Sequence, residues 1–107
     1  MILLSAERES IPVKRIQIRT KWESEQWAEA WAVPVSELLA VNRADGYWTI
    51  THILSGLAAG SSSSLKDAIR VGREVSHWPE WALMRGRQDI TPEFRRKANE
   101  VFKVVAA

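Results

Sequence analysis

The hydrophobic period of this chain changes once, near Gly60, and that change limits the folds open to it. Before Gly60, apolar residues recur at every second position in three places. After it, they recur at helical spacing. Residues 13–22 put Ile16, Ile18, Thr20 and Trp22 on one face and Arg15, Gln17, Arg19 and Lys21 on the other. Residues 47–54 are rich in aromatic and β-branched types, with Trp48, Ile50, His52 and Leu54 opposite Tyr47, Thr49, Thr51 and Ile53. Between them, Trp27–Val35 fits either period. Period two groups Trp27, Glu29, Trp31, Val33 and Val35, whereas period 3.6 stacks Trp27 on Trp31. A strand is preferred, because a hairpin with residues 13–22 is the simplest cover for the apolar face of that segment. Pro34 suits an edge or a strand end.

The punctuation between these segments is explicit. Ser36–Val41 is expected to form a short capped helical turn. Asp45-Gly46 signals a tight turn. Ser55-Gly56 ends or bulges the strand before it, and Gly60–Ser64 is expected to be a flexible connection in which Ser64, with Asp67 three residues on, caps a helix. That helix spans 65–76, with Leu65, Ala68, Ile69, Gly72 and Val75 inward and Lys66, Arg70 and Arg73 outward. Trp78-Pro79 stops it. Thr91 and Pro92 open a last helix with the stripe Phe94, Ala98, Val101, Phe102 and Val105. Residues 1–11 have no period and are expected to be a loosely ordered arm.

The expected architecture is therefore α+β: one domain over residues 1–107, a small three-stranded antiparallel sheet followed by two helices packed on one face. Its core should bring Ile16, Ile18, Trp31, Ile50 and Leu54 against Leu65, Ile69, Phe94 and Phe102. A sheet so covered keeps an open face and two edges, which leaves room for self-association.

Composition narrows the function classes. The chain of 107 residues has no cysteine, so disulfides, thiolate chemistry and Cys-based zinc sites are excluded. The N-terminal run Met1–Leu4 is too short for a signal peptide, and no stretch approaches the roughly 18 apolar residues of a membrane span. A cytoplasmic protein is expected. His52 and His77 are the only histidines, lying in a strand and at a helix end, and no metal set forms around them. Serines 61–64 lack the glycines and the Lys-Ser/Thr ending of a phosphate loop. Ser55 near His52 lacks the nucleophile-elbow context. The acids Glu23, Glu25, Glu29 and Glu37 sit in one segment without a base among them. Neither a cofactor motif nor a catalytic set emerges, and an enzyme is not expected.

What remains is binding. Six tryptophans in a chain this short either build a core or present themselves to a partner. Trp22, Trp27, Trp78 and Trp81 lie near element ends and are the candidate anchors for a protein partner or for self-association. Two basic clusters, Arg15, Arg19 and Lys21 on the first strand and Arg95, Arg96 and Lys97 on the last helix, offer the alternative of nucleic acid. The net charge of only +2, and the acids next to the basic strand, tip the expectation towards a protein-interaction or inhibitor module. Were the acids to lie directly across from the basic strand, they would offset its charge.

Overall fold

The computed structural model describes residues 16–21 and 27–106. The expected N-terminal arm, Arg15 and Trp22 lie outside the described residues.

Five antiparallel strands follow one another as a meander: β1 (Ile16–Lys21), β2 (Trp27–Pro34), β3 (Leu39–Ala44), β4 (Tyr47–His52) and β5 (Ala58–Ser62), in the spatial order β1-β2-β3-β4-β5. Then come α1 (Leu65–Val75), a single turn α2 (Glu80–Leu83), a 3-10 turn at Arg87–Asp89, and α3 (Pro92–Ala106). The class is α+β, but the sheet has five strands where three were expected.

Both missed strands have physical reasons. The expected helical turn at Ser36–Val41 is half present. The Ser36 hydroxyl accepts from the Leu39 backbone N–H at 3.2 Å, as a cap does, yet the chain leaves that turn as strand β3. Leu39, Ala40, Val41 and Asn42 are all buried, because both faces of β3 are covered. A strand buried on both sides loses its alternation. The expected flexible connection at Gly60–Ser64 is largely strand β5. α3 requires a glycine within that strand, since a Cβ on Gly60 would lie 2.6 Å from the Phe102 ring.

The other elements fall close to their sequence signals. Asp45 and Gly46 both have positive φ, 50° and 83°, the two-residue turn that matches strand twist in a hairpin. Ser64 caps α1 by accepting from the Asp67 N–H at 3.2 Å, and Thr91 caps α3 by accepting from Phe94 N–H at 3.0 Å.

The two faces of the sheet are covered differently. The helices lie over β3–β5, where Leu39, Val41, Ile50, Ala68, Val71, Val75, Trp81, Met84, Phe94 and Phe102 form the main core. Expected core members Ile50, Phe94 and Phe102 are in it, and Leu65 and Ile69 pack on its rim. Trp31 and Leu54 are not: they are 61% and 38% exposed. Trp31 sits on β2 outside the helix layer, and the strand carrying Leu54 ends at His52 and turns before reaching it.

The opposite face is covered by the sheet itself. β2 pairs with β3 only through Ala32–Pro34, so the β1–β2 hairpin is free to diverge from the sheet plane. It folds back over β3 and β4, burying Ile18 and Ala32 against Ala40, with Ile16 and Ile53 beside them. Its far end reaches the β4–β5 connection. A Cβ on Gly56 would run into the Trp27 ring and lie 3.2 Å from the Arg19 carbonyl oxygen. Alanines on β2 make this approach possible, because thin side chains let two layers of backbone close up.

Candidate binding surfaces

The candidate anchors separate into buried and displayed groups. Trp81 is 1% exposed, and its indole N–H donates to the Val75 carbonyl at 2.7 Å. Trp78 stacks on Trp81 with ring centroids 5.8 Å apart and meets Phe94 and Phe102 edge-on. These two tryptophans build the core between α1, α2 and α3, so Trp81 has no face to offer a partner. Trp27 is 42% exposed, under the guanidinium of Arg19 at 4.6 Å from the ring centroid. The most exposed tryptophan among the described residues is Trp31, which period-two reasoning had assigned to the core.

Trp31 is not isolated. With Val33, Val41, Trp48 and Leu65 it lines a groove of about 500 Å³ between the β1–β2 hairpin and the start of α1. Among the described residues, Arg43 is the only charged one lining this groove, and its guanidinium lies 5.0 Å from the Trp48 ring centroid. Register places these residues together: Val33 pairs with Val41, and Arg43 with Trp48. The signal was in the sequence, because Trp31 and Val33 share the period-two face of their strand. What periodicity could not show is that the helices stop short of that face.

The basic clusters fare unevenly. Arg19 pairs in register with Glu29 across the hairpin. No ion pair joins these two side chains among the described residues, and the guanidinium lies on Trp27 instead. Lys97 is tied into the fold, 3.2 Å from the Glu80 carboxylate and 4.3 Å from the Trp78 ring centroid. Arg95 and Arg96 are exposed on α3. The hairpin and α3 flank the same loop: Gly56 lies against Trp27, while Leu57 and Ala58 share a small cavity with Arg95.

His52 and Ser55 form a buried polar lock, each 1% exposed. His52 Nε2 lies 2.6 Å from the Trp81 carbonyl oxygen, which can only accept, so Nε2 carries the proton. Nδ1 is then the acceptor for the Ser55 hydroxyl at 2.8 Å, and the Ser55 oxygen in turn accepts from Leu57 N–H at 3.1 Å. Burial pushes the His52 pKa below its ordinary 6.5, opposed by the hydrogen bond to Trp81 and reinforced by Arg85. Every side-chain polar atom of the pair is committed, and the arrangement ties the β4–β5 loop to α2. Among the described residues, no group of three or more His, Asp or Glu comes together to hold a metal, and no helix is long and apolar enough to cross a membrane.

A scan against protein-family models found no match, and neither did comparisons with curated proteins and with solved structures.

Proposed function

We propose that this chain is a protein-interaction module that holds an acidic, apolar segment of its partner in the Trp31 groove. The observation that carries this reading is Trp31 itself, 61% exposed beside a half-buried Trp48 and under no helix. An exposed aromatic next to an apolar trough and one arginine has the composition of an interface hot spot. An apolar side chain of the partner would lie between Trp31 and Leu65, and a carboxylate beside it would meet Arg43.

A second reading has its own support. Arg19 over Trp27, with Arg95 on the other side of the β4–β5 loop, is an aromatic and cationic strip suited to single-stranded nucleic acid. Glu29 opposite Arg19 and a net charge of +2 count against it.

One experiment separates the two. Peptides selected from a displayed library against the whole chain are tested on Trp31→Ala and on the charge reversal of Arg15, Arg19 and Lys21 to Glu. The protein reading expects acidic, apolar peptides whose affinity drops about tenfold or more on Trp31→Ala, the loss of roughly 1.4 kcal/mol or more. It expects the charge reversal to matter less. Tight binding of a random single-stranded oligonucleotide at physiological ionic strength, steeply weakened by salt and abolished by the charge reversal, would establish the second reading instead.

A further inference from the structure

The folded-back hairpin does not fill the space beneath it. A cleft of about 320 Å³ remains on the face of the sheet away from the helices, closed on one side by Thr20 of β1 and floored by β3, β4 and β5. Its size is at the lower end of the range for small-molecule sites. Its lining is unusual for a sheet interior. Asn42, Thr49 and Ser61 follow one another directly across three strands, since Asn42 pairs with Thr49 and Thr49 with Ser61. Asn42, Thr49 and Thr51 are 3%, 9% and 2% exposed. Polar groups so buried normally have their hydrogen bonds filled.

Asn42 does not. Its Oδ1 accepts from the Thr51 hydroxyl at 2.6 Å. Its Nδ2 carries two N–H groups, and the sole acceptor it reaches among the described residues is the adjacent Arg43 carbonyl at 3.5 Å, the limit of a hydrogen bond. A buried amide donor thus stays unpaired at the wall of the cleft. At the mouth, the Asp45-Gly46 turn places a carboxylate, and Tyr47 is 53% exposed.

From this juxtaposition we propose that the cleft is a binding site for a neutral polyhydroxyl ligand, with the chemistry of a sugar ring. The argument is one of complementarity. Sugar hydroxyls both donate and accept, so one would take the Asn42 N–H while others donate to Asp45 and exchange with Thr49 and Ser61. The Tyr47 ring and the alanines beside it supply the apolar surface that the C–H face of a sugar covers. Among the described residues, Asp45 is the only charged one lining the cleft, so phosphates and carboxylates are disfavoured. This site lies on the opposite face from the Trp31 groove and stands independently of the function proposed for that groove.

The test is a titration of the whole chain, isotopically labelled with nitrogen-15, followed by nuclear magnetic resonance. Methyl glucoside and ribose represent free sugars, uridine a sugar carried on a base, and inorganic phosphate the anion control. At millimolar sugar, the Asn42 side-chain amide and the Gly60 and Ser61 backbone amides should shift together, with little response to phosphate. Asp45→Asn keeps the turn, because Asn tolerates the same left-handed backbone, and should weaken binding about tenfold by removing a charged acceptor. Preference for uridine over both free sugars would assign the site to a nucleoside sugar; preference for the free sugars would assign it to a saccharide. Absence of sugar-dependent shifts in the cleft, binding of phosphate as good as that of sugar, or an Asp45→Asn variant that is folded but unaltered in affinity would each overturn the proposal.

Discussion

The two faces of the sheet are built on opposite plans. On the helix side, large side chains close around Trp81, and the imidazole buried beside it, His52, has both ring nitrogens engaged. On the other side the cover is the chain's own hairpin, the buried apolar contact is Ile18 against two alanines with Ile16 and Ile53 beside them, and polar or small residues surround a cleft. The first plan gives stability, because dispersion and burial both scale with packed apolar area. The second gives space with polar walls, because side chains chosen to be small or hydrogen-bonding cannot fill the layer. The difference teaches that one sheet can divide its duties by face: over β3–β5 the helix side is closed around its core, and the side that encloses a cleft adds less stability.

The sharpest way to break this contrast is to truncate its heaviest member. Trp81→Ala should cost about 3–5 kcal/mol in urea unfolding, the range for removing a buried aromatic ring. The indole also donates to Val75 and packs on Trp78, Phe94 and His52, so the hole has many walls and little to collapse into it. A loss below about 1 kcal/mol would mean the helix side is not the centre of stability.

The comparison is then made directly with a matched pair. Ile50→Ala on the helix side should cost about 3–4 kcal/mol, and Ile18→Ala on the hairpin side about 2 kcal/mol or less, the low end for such truncations. Both side chains are buried, at 0% and 4% exposure, so the difference isolates what surrounds them. Equal costs would show that the hairpin face is packed as tightly as the helix face.

Legibility in the sequence follows the same division. Helices α1 and α3 were readable because capping chemistry and an apolar stripe coincide after Ser64 and Thr91, whereas the single turn α2 was not expected. The β1–β2 hairpin was readable although its second segment fits either period, and Glu29 lies across from Arg19 without forming an ion pair with it. β3 was hidden, since burial on both faces removes alternation and leaves Leu38–Val41 looking like a helical turn. β5 was hidden because its run of Ala, Gly and Ser lacks the β-branched and aromatic residues that mark a strand, and Gly60 is needed where Phe102 approaches. Of the candidate anchors, Trp27 is displayed and Trp81 is core, and nothing local distinguishes them. Exposure of Trp31 depends on how far the helices extend, a property of tertiary structure that no window of sequence contains. The Asn42 cleft depends on the hairpin folding back and was not visible at all.

A smaller effect tests the folding back itself. Gly56 has φ 75°, and a side chain there meets Trp27 and the Arg19 carbonyl. Gly56→Ala should therefore cost about 1–3 kcal/mol, from backbone strain together with displacement of the ring. The hairpin should loosen with it, so acrylamide should quench tryptophan fluorescence more readily than in the parent. Unchanged stability and quenching would mean that the hairpin does not rest on this loop.

The smallest effect is expected from acid alone, because one neutral side chain is asked to take a proton while every packed atom stays in place. His52 is held neutral by burial and by its two hydrogen bonds, with its pKa below the ordinary 6.5. In the unfolded chain it regains that ordinary value. Above it, both states are neutral at this residue and the His52 contribution is fully present. As the pH falls through that value, the unfolded state takes up a proton that the folded state resists, so stability declines. The decline levels off once the pH passes the lower, folded pKa and both states are charged. Urea midpoints measured from about pH 8 to about pH 5, the span in which an unperturbed histidine changes charge, should fall towards acid in the parent. His52→Gln removes the titrating group, so its profile should be flatter, and the difference between the two profiles isolates His52 from the other ionisable groups. A parent profile that rises towards acid, or that matches the variant throughout, would place the imidazole in contact with water and remove the lock between the β4–β5 loop and α2.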